Sequence, residues 1–260
     1  MLRYEGKQMG ESSAAVVEPV KKGLYPISDA AYRELPHMNH SGLRLFAGHS
    51  PPPPKARFLL IGTAYHACMT QPEIAAATYC KAPLDWDLRT VDGKQALAEF
   101  EAETGKVALR PKEHAELREL IRATKAEPAA KKILDALGDA ELTAIGQLVK
   151  GVWCKALIDK VCKGCLVDLK TTSTENQQQF EDSIIKYGYD SQAAFYVDLF
   201  KEVTDEDQVR PFFWLCVSKR NYSCWVSRAQ PWHIHSGRRW YRDVLGLYAR
   251  GTVSGVLSAD

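Results

Sequence analysis

The spacing of apolar residues divides the chain into stretches of helical and of strand character. Phe58, Ile61, Tyr65 and Met69 recur at three and four, the signature of one buried helical face, and predict a helix from Lys55 onward. His66 lies beside that stripe, in line with Gly62. Upstream, Ser28 and Ser41 each stand where a side-chain oxygen can cap a short helix. The second of these helices, GLRLF, must stop before Pro51 to Pro54, a run that favours an extended connector. Residues 81–109 are polar and turn-rich, with one helix predicted around Gln95 to Glu103, and read as an insertion. Pro111 suits the first turn of a helix whose Leu117, Leu120 and Ile121 face inward. A short helix from Pro128 to Leu137 is expected to end at Gly138.

The period then changes. From Glu141 to Thr171 apolar and polar residues interleave as in three strands, broken at Lys163 and Gly164 by a tight hairpin turn. Helical spacing returns at Asn176 to Lys186 and, past Gly188, at Tyr189 to Val203. PFFWLCVSK and SCWVSRAQ read as two more strands. PWHIHSGRRWYRDVLGLYARG closes the chain as an amphipathic helix with Trp240, Val244, Leu247 and Tyr248 on its buried face; Arg238, Arg239 and Arg242 are left to solvent or to nucleic acid. This order describes one α/β domain over residues 28–260, a central mixed sheet flanked by helices, preceded by a poorly ordered arm over residues 1–27.

Composition narrows the class. With 260 residues, 45% hydrophobic and 25% charged, the chain can hold a core without metal or disulfide, so any metal would be functional. Thirty-four Lys and Arg against 32 Asp and Glu exclude a histone-like positive coat but permit a local basic groove. Seven cysteines, an odd number, point to a reducing compartment. The opening MLRYEGKQMGESS is charged where a signal peptide would be apolar, and no run approaches the roughly 18 apolar residues of a membrane span. A cytoplasmic protein without a membrane partner is therefore expected. Cys162 and Cys165 bracket the hairpin turn, but with no second compact pair they read as ordinary thiols rather than as a metal cluster.

The chemistry concentrates in GVWCKALIDKVCKGCLVDLKTT, residues 151–172. Strand alternation puts Leu166, Asp168 and Lys170 on one face and Val167 and Leu169 on the other. Folding the hairpin brings Asp159 towards Asp168. Two adjacent carboxylates repel unless a cation sits between them, and an oxygen-rich site of this kind suits Mg2+ or Mn2+. With a lysine at its edge it could support metal-assisted phosphodiester hydrolysis; without such chemistry it would be a surface ion pair. Gln192 and Tyr196, four apart on the following helix, share one face and could both reach a nucleic-acid backbone.

The glycine, Ile158-Asp159, the short hairpin and VDLKTT resemble the core of the PD-(D/E)XK nuclease superfamily, in its RecB-like and RecE-like branch. QAAFY, residues 192–196, resembles that branch's Q-x-x-x-Y helix, and GTAYH, residues 62–66, its histidine helix. From about Ile27 to Val203 the motifs keep the order of the RecE-type (exonuclease VIII) nuclease domain. The resemblance implies a restriction-endonuclease-like core in which Asp159, Asp168 and the main-chain carbonyl of Leu169 ligate the metal and Lys170 is the catalytic lysine. It places His66 near the metal, directly or through water, and leaves Glu141 either in the site or as a surface charge on the first strand. It further implies a Mg2+- or Mn2+-dependent exodeoxyribonuclease that degrades double-stranded DNA from free ends for phage-type recombination or repair. A single-strand annealing recombinase as partner and a ring-shaped homo-oligomer belong to the same expectation, as does a stand-alone phage or prophage enzyme. A RecB-like endonuclease, a single-strand nuclease and a non-catalytic DNA-binding relative are the alternatives.

Overall fold

Every predicted strand of the acidic region is present in a computed structural model that describes residues 21–49 and 57–251. The chain begins with β1 (Gly23–Tyr25), α1 (Asp29–Glu34) and α2 (His40–Phe46), followed by α3 (Arg57–Thr70) and α4 (Pro72–Thr78). Two short strands, β2 (Tyr79–Lys81) and β3 (Val107–Leu109), bracket α5 (Val91–Thr104). Then come α6 (Pro111–Ala126), α7 (Pro128–Leu134) and the long strands β4 (Gly138–Val149), β5 (Val152–Cys162) and β6 (Cys165–Thr172). Next are α8 (Gln177–Tyr187), α9 (Tyr189–Thr204), β7 (Phe212–Ser218), β8 (Cys224–Arg228) and α10 (Pro231–Ala249).

Six strands form one sheet in the order β1-β4-β5-β6-β7-β8. All neighbours are antiparallel except β6 and β7, whose parallel pairing makes the sheet mixed. The crossover from β6 to β7 is α8 and α9, the helical connection a parallel pair requires. On one face of the sheet, Phe180, Phe195, Trp214 and Tyr241 form a core with residues of α2, α8, α9 and α10. On the other, Tyr65, Leu120, Val167 and Leu215 pack beneath α3, α6 and α7. Each such fully buried side chain contributes roughly 1.5–3 kcal/mol. The predicted insertion is a small parallel β2–β3 sheet with its own apolar cluster around Leu97 and Ala108.

Several boundaries depart from the sequence reading. Ordered structure starts before Ser28: β1 lies inside the expected arm and pairs with β4, a strand too short to show a period of its own. Residues 1–20 of that arm, the Pro51 to Pro54 connector and the Phe58 side chain lie outside the described residues. Ser28 caps α1, accepting from the Ala31 N–H, but α2 is capped by Asn39, which accepts from Gly42, so Ser41 sits two residues too late. The helix from Pro128 ends at Leu134, and Gly138 instead opens β4. There a side chain would run into the carbonyl of Val161, 1.9 Å from an added Cβ. The buried face of α10 is His233, Gly237, Tyr241, Val244 and Leu245, with Tyr248 exposed. This face is rotated because Tyr241 and Arg238 anchor the helix on Asp198 of α9, at 2.6 Å from the tyrosine hydroxyl and 2.6 Å from the guanidinium.

Candidate active site

The site opens where β5 and β6 part. Their ladder runs Cys162↔Cys165, Val161↔Leu166, Lys160↔Val167 and then ends, while β5 continues on β4 and β6 on β7. The next residues in register are Asp159 and Asp168. Instead of a main-chain carbonyl, the Leu169 N–H finds the Asp159 carboxylate, donating to Oδ2 at 2.6 Å. On the other side of β5, Ala140 pairs with Lys160 and Leu142 with Ile158, so Glu141 falls opposite Asp159. Glu141 adopts φ +51, a left-handed conformation uncommon for a residue with a side chain, in the middle of its strand. The local irregularity extends to β5, where Ile158 and Val161, three apart, pack in the same core. Side-chain alternation is thus interrupted at the rung that carries the carboxylates.

Helix α3 supplies the next group. Tyr65 is fully buried and its hydroxyl is paired with Thr124 at 2.8 Å, which pins the helix to α6. One residue on, His66 turns its Nδ1 to within 3.4 Å of Asp159 Oδ2. Burial keeps the His66 imidazole below its ordinary range despite the pull of Asp168, and the main chain of Leu169 lies beside it. A neutral imidazole is the form that ligates a metal or accepts from water. A turn further on, Thr70 donates to Glu141 Oε1 at 2.9 Å.

Lys170 is held from three sides. Its ammonium lies 2.6 Å from Asp168 Oδ2, donates to Gln192 Oε1 at 3.0 Å, and sits over the Tyr189 ring, 4.7 Å from the centroid. Burial alone would favour the neutral amine, but the Asp168 carboxylate outweighs it and the pKa is raised, so the lysine stays charged. Gln192 is a bridge rather than a free DNA contact: its amide donates to Asp168 Oδ1 at 3.0 Å while its oxygen accepts from Lys170. Tyr196 packs half-buried against the core, and burial pushes its hydroxyl well above the usual range. Sequence reasoning passed over Tyr189 and Thr70; an aromatic three residues before Gln192, almost a full helical turn away, was the available signal for the first.

The carboxylates fit a cation. Burial first, and then Asp168, push the Asp159 carboxyl up to about 8. Glu141 is pushed up to about 7 by burial and by Asp159. Asp168 Oδ2 is buried, with the Lys170 ammonium 2.6 Å away in a charge-assisted contact, and the carboxylate keeps further lone pairs for a cation. Among the described residues no three His, Cys, Asp or Glu side chains already converge as a ready-made cage. Two carboxylates completed by main-chain oxygen and water suit Mg2+, which keeps several waters when protein-bound. Cys162 and Cys165 face each other across the turn as free thiols, apart from this cluster.

Comparisons with known proteins agree with this architecture. The crystal structure of a candidate exonuclease from Eubacterium rectale superposes with TM-score 0.57 at 17% identity, covering 84% of this chain and 83% of that one; at this identity the likeness concerns the fold. A second structure, that of SSO0001, reaches TM-score 0.30 at 12% identity over 58% of this chain and 70% of that chain, and supports no argument. No curated protein sequence matches. A family described as a PDDEXK-like domain of unknown function (DUF3799) matches residues 29–227. Because that match runs from α1 into β8, most of the chain, the protein belongs to this PDDEXK-like family and with it to the PD-(D/E)XK nucleases.

Proposed function

We propose that the protein is a divalent-metal-dependent deoxyribonuclease that degrades linear double-stranded DNA from its ends. The observation that carries this reading is the open rung between β5 and β6, where Asp159 and Asp168 stand side by side with Lys170 locked in its charged form at the edge. Asp159, Asp168 and the Leu169 carbonyl would hold Mg2+ or Mn2+, with His66 beside them. When bound, the ion supplies Lewis acidity to the phosphodiester and acidifies water. The chain's own groups do the rest. Lys170 orients the attacking water or offsets charge growing on the phosphate, and it is worth more here than at a surface because the site is largely shielded from solvent. Gln192 fixes Asp168 and Lys170 relative to each other, so that the metal ligand and the cation act on one phosphate. His66, kept neutral, can accept a proton from water or ligate directly.

The exonuclease part rests on the RecE-type motif order, and it fits the preparation of single strands for recombination. The seven cysteines, all unpaired, fit a reducing cytoplasm, and no helix among the described residues is long and apolar enough to cross a membrane. Digestion of end-labelled linear duplex beside covalently closed circles, with Mg2+ and with chelator, tests the reading. An exonuclease spares the circle; cutting of the circle replaces it with an endonuclease, and intact DNA in every lane overturns the enzymatic reading.

A further inference from the structure

We infer that Tyr187 is a stacking platform for an unpaired nucleobase next to the scissile phosphate; the inference deepens the nuclease reading and rests on it. Single exposed aromatic residues are ordinary on protein surfaces. Tyr187 differs in what lies beneath and around it. Half of it is exposed, yet its ring packs on Tyr189 with centroids 5.8 Å apart, and Tyr189 in turn stacks on Phe180 at 5.8 Å and 20°. The exposed ring is therefore the outer member, tilted 41° on Tyr189, of an aromatic column whose foot is the buried core. The middle member of that column is the ring over which Lys170 holds its ammonium. Tyr187 thus stands two ring contacts from the catalytic lysine, a reach of one to three nucleotides at the roughly 3.4 Å spacing of a DNA strand.

Its neighbours are cations. The Lys186 ammonium sits 5.5 Å from the Tyr187 ring centroid. Arg44, in the last turn of α2, donates to the Tyr187 main-chain carbonyl and braces the corner at Gly188, whose φ of +68 turns the chain from α8 into α9. A half-exposed ring with an ammonium held over its face matches a nucleotide: a base can stack on that face once the lysine side chain swings aside, and the phosphates on either side have charge for the lysine to neutralise. Because a duplex keeps its bases stacked on one another, the occupant is a base from a frayed or single-stranded end.

The test uses the full chain with the Lys170→Met change, Mg2+ and a short single-stranded DNA carrying 2-aminopurine beside the intended cut. Tyr187→Ala should weaken binding about tenfold or more, the range of one lost base–aromatic stack, and should abolish the quenching that stacking imposes on the probe. Tyr187→Phe and Tyr187→Trp should keep both. On a strand with the flanking bases removed and the phosphates intact, the chains with and without Tyr187→Ala should bind alike. Wild-type affinity and quenching in Tyr187→Ala would overturn the inference, as would an equal loss on the base-free strand, which would assign Tyr187 to packing. If the otherwise unaltered chain cuts DNA and Tyr187→Ala fails these tests, the inference alone falls. If it neither binds nor cuts DNA, the nuclease reading falls with it.

Discussion

Removing the charge of Asp159 should stabilise the metal-free protein, and increasingly so as the pH rises. The carboxyl is 9% exposed, shares a rung with Asp168, and is pushed up to about 8 from an ordinary value near 3.8. A carboxyl whose pKa is raised on folding binds its proton more tightly in the native state than in the unfolded chain. Folding is then unopposed by this group below about pH 3.8, and stability falls steadily as the pH climbs towards 8. At about 1.4 kcal/mol per pH unit, the penalty grows by roughly 4 kcal/mol between pH 5 and pH 8. Asp159→Asn keeps the volume and keeps an oxygen to accept from the Leu169 N–H, so it removes the charge with little else. Denaturant titrations in chelator should show the variant gaining on wild type by on the order of 4 kcal/mol across that range. With Mg2+ at a hundredfold excess over Kd the gap should narrow by about 2.7 kcal/mol, because the ion stabilises only a native state that can hold it. A variant that is less stable than wild type at pH 8 in chelator, or a difference that does not depend on pH, would show that Asp159 is not a buried carboxyl beside Asp168.

Substitutions at three further residues separate the roles in the site. Lys170→Met should lower turnover on the order of a hundredfold or more while titration calorimetry still shows Mg2+ binding; loss of both would make Lys170 a support of the metal ligands rather than a participant in the chemistry. Gln192→Ala removes the bridge between Asp168 and Lys170 and should lower kcat/KM about tenfold or more at subsaturating DNA, and an unaltered rate would mean that the bridge does not position the two groups for the reaction. Tyr189→Leu removes the ring beneath the Lys170 ammonium, a contact worth about 1–2 kcal/mol when desolvated, and should cost roughly five- to thirtyfold in turnover, whereas Tyr189→Phe keeps the ring and should stay near wild type.

What the sequence made legible was whatever a local rule could carry. Alternation along β6 put Asp168 and Lys170 on one face, and the two-residue turn at Lys163 and Gly164 set the register that brings Asp159 to Asp168. A mixed sheet was expected, but the pair that makes it mixed, β6 with β7, is seen only in the structure. The ending of the β5–β6 ladder at Lys160↔Val167, which opens the site, has no local signature, since the chain beyond it still reads as strand. The left-handed Glu141 was equally hidden, because glutamate gives no hint of positive φ. Gln192 was found by its motif but its task was not: only the tertiary approach of α9 to β6 shows it tying Asp168 to Lys170. The face of α10 was misjudged because apolar spacing placed Tyr248 inward, whereas the anchoring on Asp198 turns Tyr241 inward instead.

Asp159, Asp168 and Lys170 are proposed to form a metal-dependent phosphodiester-cleaving site. Its most direct test is the release of nucleotides from linear duplex DNA by the purified chain and by Asp168→Asn, each with Mg2+ and with chelator. Cleavage confined to the unaltered chain in Mg2+, with the variant folded and inactive, is the predicted result. Cleavage in chelator, or wild-type cleavage by Asp168→Asn, would contradict it.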